Sequence, residues 1–249
     1  MTSISETGHD KNVAGTEKLI VECKALGTDY NPSNPALGIP VLEQMFGKAT
    51  LSLATLKTVK PVYDQATAAR EEGFKPLGKL VTRTIGSLSS SGASVQIIED
   101  ARTLVRKIQG RRATTKAVPE GGSTTGEPGV EPKTISVSQQ SYDSLIEHFD
   151  ALIQLYKAEP MYNPNESDLK TSALETYCGT LRTLNTAVIN ASIPYSEAIN
   201  TRNKILYAPV TGVVDTSKAV KKYVMSVLGA THPTYKRINA IPFKNLLKD

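Results

Sequence analysis

Apolar residues recur along this chain at helical spacing, and the strongest runs come in two related sets. Leu145, Phe149, Leu152, Ile153 and Tyr156 form an i, i+4, i+7, i+8, i+11 stripe that Pro160 closes. That pattern predicts an amphipathic helix, A′, buried along one face. Ser138, Asp143 and Glu147 supply its start signals, because a capping hydroxyl and acidic side chains suit a first turn. Val13, Leu19, Ile20, Cys23 and Leu26 repeat the spacing more weakly, and Gly27 offers the left-handed stop. This second segment is helix A.

A Tyr-Asn-Pro tripeptide follows each of them, at Tyr30 and at Tyr162, and proline there turns the chain out of the helix. A long helix, B′, is predicted next over about Ser167–Lys204. Its apolar face carries Leu169, Ala173, Leu174, Tyr177, Leu181, Leu184, Val188, Ala191, Tyr195 and Ala198. Displacing the chain on itself by 132 positions sets Leu37 on Leu169, Leu42 on Leu174, Gly47 on Gly179 and Leu56 on Val188. Tyr63 then meets Tyr195 and Arg70 meets Arg202. After one further residue of offset, Pro76 meets Pro209, Leu80 meets Val213 and Val81 meets Val214. A correspondence of this length reads as a duplicated helical unit.

Pro61 and Pro194 lie inside B and B′ at nearly matching places, and a mid-helix proline predicts a kink in each. Helix C′ spans roughly Val210–Leu228, with Val213, Val220, Tyr223, Val224 and Val227 inward and Gly229 as its stop. Copy one inserts Ser87–Ser94, which makes its helix C either longer or broken; the Ser/Gly run favours a break. Val105, Ile108 and Gly110 then answer to Val224, Val227 and Gly229.

Five segments follow. Residues 1–12 are polar and aperiodic and read as a disordered tail. Residues 13–110 are repeat 1, and 134–229 are repeat 2. Between them, residues 111–133 are rich in Pro, Gly, Ser and Thr, too polar to offset the entropy of ordering, and read as a flexible linker. Residues 230–249 are a C-terminal tail that docks through Ile238, Ile241 and Phe243. The expected fold is all-α: an elongated helical bundle built from two copies of a three-helix unit with long kinked central helices.

Composition adds limits more than content. The chain has 249 residues, a formal charge of +5, two cysteines and no tryptophan. The charge permits an acidic partner without requiring one. Its opening residues lack a basic n-region and an apolar h-region, and no run reaches the roughly 18 apolar residues of a membrane span. Cys23 and Cys178 do not correspond under the repeat, so no disulfide framework is expected. A soluble, cytoplasmic protein of bacterial type is the expectation.

Thr134-Ile-Ser-Val-Ser-Gln-Gln-Ser-Tyr-Asp with Tyr162-Asn-Pro-Asn-Glu resembles a family of uncharacterised all-helical proteins from Bacteroidota. So do Asn200-Thr-Arg-Asn-Lys-Ile-Leu-Tyr207, Lys222-Tyr-Val-Met-Ser-Val-Leu-Gly and Tyr235-Lys-Arg-Ile. The match covers about 134–243 well and copy one loosely. It implies a soluble helical fold and brings no activity, cofactor or catalytic residue.

Chemistry is sparse in the sequence. His9, His148 and His232 are scattered, and neither cysteine has a neighbour at ligand spacing, so no metal site is expected. Gly47-Lys48-Ala-Thr50 lacks the leading glycine and the strand context of a phosphate loop. Glu71-Glu72 and Glu99-Asp100 are adjacent pairs that point apart on a helix. No Gly-x-Ser-x-Gly elbow occurs. A non-enzyme without a cofactor is expected, a structural or interaction protein binding itself or another protein.

One alternative is a module for an anionic partner, nucleic acid or acidic lipid, at the basic ends of helices C and C′. Its candidate contacts are Arg70, Arg202, Arg106, Lys107, Lys218, Lys221 and Lys222. Arg70 and Arg202, kept in both copies, equally suit a structural fork at a helix corner, and C-terminal lysines and arginines also complement the macrodipole. A membrane-active helical protein is the further alternative, with Thr84–Ile98 and Thr183–Ser196 as its uncharged stretches.

Overall fold

The computed structural model describes residues 6–111 and 140–247. Among them are eight α-helices and no strand: α1 (Glu6–Ala25), α2 (Ile39–Phe74), α3 (Leu77–Ser90), α4 (Val95–Ile108), α5 (Tyr142–Ala158), α6 (Thr171–Tyr207), α7 (Val213–Leu228) and α8 (Pro233–Ala240). The protein is all-α, as the periodicity predicts. The segment read as a linker lies outside the described residues except for Arg111, as does Ser138. The side chain that caps α5 is Ser141, which accepts from the Ser144 amide.

The chain forms two compact units, and they do not coincide with the sequence repeats. Unit 1 comprises Met1–Gln65 and Asn190–Asp249; unit 2 comprises Ala66–Ile189. The chain passes from one unit to the other inside α2 and again inside α6. Unit 1 therefore joins α1 of repeat 1 to α7 of repeat 2, and unit 2 joins α3 and α4 of repeat 1 to α5 of repeat 2. In unit 1, α1 packs on α7 and α8; in unit 2, α5 packs on α4, which packs on α3.

By partners, α4 answers to α8, not to the end of α7. This revises the matching of Val105 and Ile108 with Val224 and Val227. Val105 and Val224 are both buried, whereas Ile108 is buried and Val227 is 43% exposed, so the matching fails at its second pair. The Ser-rich insertion is a break, with Gly92 at φ +87° between α3 and α4.

Some contacts recur at the 132-residue offset. Tyr30 Oη donates to the Leu37 carbonyl at 2.6 Å, and Tyr162 Oη donates to the Leu169 carbonyl at 2.8 Å. Both tyrosines are buried, so each bond satisfies a phenol that burial would otherwise penalise. Tyr63 and Tyr195, equivalent by sequence, stack on one another 5.0 Å apart within unit 1. The helices run unbroken through Pro61 and Pro194. Neither proline can donate to the carbonyl four residues back, and both prolines face solvent, where water can serve that carbonyl.

The core of unit 2 gathers Phe74, Leu77, Val81, Leu88, Phe149, Leu152, Ile153, Tyr156, Leu174 and Leu181. Unit 1 holds two clusters, one around Leu19, Cys23, Leu42, Val220, Val224 and Ile238, the other around Val13, Leu53, Leu206, Tyr207 and Val213. Residues 230–249 are more than a tail. Pro233–Ala240 is helical, Ile238 is fully buried, and Ile241 and Phe243 pack beside it.

The expected disordered tail also needs correction, because α1 begins at Glu6 and buries His9 and Asn12. Polar residues are tolerated there because they are bonded. His9 Nδ1 lies 2.6 Å from Tyr207 Oη, and Asn12 Nδ2 donates to the Lys244 carbonyl at 2.8 Å. Asn12 Oδ1 in turn accepts from the Lys244 amide at 3.0 Å. A hydrophobic-periodicity reading has no means to see a helix face held by hydrogen bonds.

Candidate interaction site

Arg70 and Arg202 sit within the helical packing of their own units. In unit 2, Arg70 Nη1 donates to Asn185 Oδ1 at 3.0 Å, and its guanidinium lies 3.9 Å from the centre of the Tyr142 ring. Asn185 Nδ2 passes the chain of bonds to Asp143 Oδ1 at 2.6 Å. Arg202, in unit 1, is 3% exposed and donates through Nε and Nη2 to Asn203 Oδ1 at 3.1 and 2.8 Å. Both guanidiniums are thus engaged by the protein itself, which is the structural role open to a planar fork.

The lysines and the remaining arginine divide between the units. Lys221 turns its ammonium onto the carbonyls of Asn239 (2.9 Å) and Ile241, closing the end of α8. Burial, and then the charge of Lys218, hold its pKa below the usual lysine value. Lys218 and Lys222 on the same helix are exposed. In unit 2, Arg106 Nη2 donates to Thr103 Oγ1 at 2.8 Å, Lys107 is exposed, and both lie in the last turn of α4. Within unit 1, therefore, one of the three α7 lysines is committed to structure.

Nucleophiles and ligands are similarly placed. Cys23 and Cys178 are free and buried; burial pushes the Cys23 thiol up to about 12, so it stays protonated and unreactive near neutral pH. His148 is held below its ordinary value by burial and by the charge of Lys107. Among the described residues no three His, Cys, Asp or Glu side chains converge to hold a metal ion. Gly47 lies inside α2. No helix among the described residues is long and apolar enough to cross a membrane.

Unit 1 also carries a groove between α2 and α6. It has a volume of about 380 Å³. Leu51 and Val59 line it from α2, Ala198 and Ile205 from α6, with Lys48 on one wall and Glu197 on the other. Leu51 is 68% exposed, and Val62, further along α2, is 57% exposed. Lys48, Leu51, Thr55, Val59 and Val62 follow 3-4-4-3 spacing, the seam of a helix that packs against another helix. Leu51, Val59 and Val62 are apolar at helical spacing, but an exposed apolar position on a helix shows itself only when the packing is known.

No family model, curated protein or solved structure matches the chain.

Proposed function

We propose that this is a non-enzymatic interaction protein that associates with a second copy of itself through the α2/α6 groove of unit 1. The carrying observation is the apolar seam left on the outside of α2, headed by Leu51. Exposed apolar faces arranged at helix-packing spacing, rather than scattered singly, characterise surfaces that meet another protein.

The occupant follows from the charges on the walls. Lys48 and Glu197 face one groove from opposite helices, and neither forms an ion pair among the described residues. A twofold dimer places each surface patch against its own copy, so one chain's lysine meets the other's glutamate twice. Leu51 of each copy then fills the groove of the other. Burying the exposed part of one leucine contributes about 1–2 kcal/mol, and the symmetry doubles it.

Absolute mass by light scattering or sedimentation over roughly 1–100 μM tests this. The expected result is a rise toward twice the 26.8 kDa of one chain. Leu51→Glu returns the protein to monomer. Lys48→Glu and Glu197→Lys each weaken the dimer, and the double exchange restores it. A chain that stays monomeric throughout, or a dimer indifferent to Leu51→Glu, overturns the proposal.

A further inference from the structure

Unit 2 carries a second recess whose chemistry differs from that of the groove. It lies between α3 and the end of α4, with a volume of about 270 Å³. Ile85 and Val105 form an apolar floor, and Arg102, Arg106 and Arg111 stand around it. Gln109 closes one end: its Nε2 donates to the Gly78 carbonyl at 3.1 Å and to Thr82 Oγ1 at 2.8 Å. That bond ties α4 back to α3 and fixes the shape of the recess.

We propose that this cleft binds a small organic anion, an apolar body carrying one carboxylate, sulfonate or phosphate. Three arginines line it, and no carboxylate is among its described lining residues. Arg102 donates to Glu99 and Arg106 to Thr103, but each of these bonds uses one of five guanidinium donors. Enough N–H groups remain for a bidentate grip on a planar or tetrahedral oxyanion.

The alternative account, that arginines merely complement the helix dipole, covers Arg106 in the last turn. It does not cover Arg102, which lies a turn and more upstream. Arg102 and Arg106 stand at i and i+4, where like charges repel; Glu99, ion-paired with Arg102 at 2.5 Å, relieves part of this and leaves Arg106 and Arg111 without a carboxylate partner among the described residues. Nor does the dipole explain an apolar floor beneath the charges. Nucleic acid fits less well, since a polyanion is held by cations spread along its phosphates, not by a ring around one apolar recess.

The test uses the full chain with two probes, 8-anilinonaphthalene-1-sulfonate followed by fluorescence and dodecanoate followed by calorimetry. Inorganic phosphate and a DNA duplex serve as comparisons. One saturable site is expected, at least about ten-fold tighter for the apolar anions than for phosphate. Arg102→Gln and Arg106→Gln should each weaken binding about ten-fold. Arg111→Gln, at an exposed position, gives a third variant whose folding is secure. Leu51→Glu should leave binding unchanged, which separates this cleft from the unit 1 groove and its proposed dimer. Equal affinity for the arginine variants and the unsubstituted chain overturns the proposal. So does equal binding of phosphate, a preference for the DNA duplex, or no binding of either probe.

Discussion

Replacing Val210 with asparagine should make the protein more stable. Val210 sits at φ +67° in the corner between α6 and α7, among the described residues the one non-glycine with positive φ. A Cβ in the left-handed region crowds the following carbonyl, at a cost of about 1–2 kcal/mol, and branching at Cβ adds to it. Asparagine visits that region readily.

Little opposes the exchange. Val210 is 82% exposed, so its side chain forfeits only about a fifth of the ~1.5–3 kcal/mol of full burial, or roughly 0.3–0.5 kcal/mol. The bonds that pin the corner use its main chain: its amide donates to Asp215 Oδ2 at 3.2 Å, and its carbonyl accepts from Thr216 Oγ1 at 3.4 Å. Val210→Asn leaves both intact. The net gain should be about 1 kcal/mol, or a Tm higher by about 2–4 °C in a chain of this length. Val210→Gly should gain less, because glycine also stabilises the unfolded chain by about 0.5–1 kcal/mol. Thermal melts followed by circular dichroism, with urea midpoints as an independent check, read the effect. A Tm for Val210→Asn equal to or below that of the parent would refute the strain argument.

The two carbonyl-bonded phenols and the buried titrating groups give two more tests. Tyr30→Phe and Tyr162→Phe should each cost about 1 kcal/mol by leaving the Leu37 or Leu169 carbonyl without its donor. The costs should add in the double variant because the pairs lie in different units; a urea titration showing one large and one negligible loss would deny that the two bonds are equivalent. Burial raises the Tyr156 phenol from 10.0 to about 12 and the Cys23 thiol from 9.0 to about 12. The unfolded chain therefore releases these protons first on an alkaline titration. Stability should hold below about pH 9 and fall as pH rises from there toward 12. Tyr156→Phe should make that fall shallower, and a flat urea midpoint across the same range would contradict the burial.

The helices were legible because most of their inward positions are apolar. The A′ stripe matches the buried face of α5, with Ile146 buried beside the partly buried Leu145. The face of α6 was traced from Leu174 to Ala198, but its polar members, Asn185 and Arg202, are visible only as bonded side chains. His9 and Asn12 escaped for the same reason. The two units were hidden for another: periodicity shows which face of a helix is buried and not which helix covers it. The α2/α6 groove needed both facts at once, since Leu51 is apolar on an outward face of α2, where no helix of unit 1 covers it.

Because the chain changes units within two helices, the order of synthesis becomes a folding constraint. Ala66–Ile189 is continuous and can assemble as soon as it has left the ribosome. Unit 1 cannot. Asn190, where its second portion begins, is made about 125 residues after Gln65, a wait of roughly 6–25 s at 5–20 residues per second. During that interval Leu19, Ile20 and Cys23 on α1 have no α7 to cover them. Until then only Tyr30, Leu37 and Leu42 of the same buried cluster are present to pack against α1. A chain that ends before α7 lacks Val220 and Val224, so it keeps the α1 face of unit 1 uncovered.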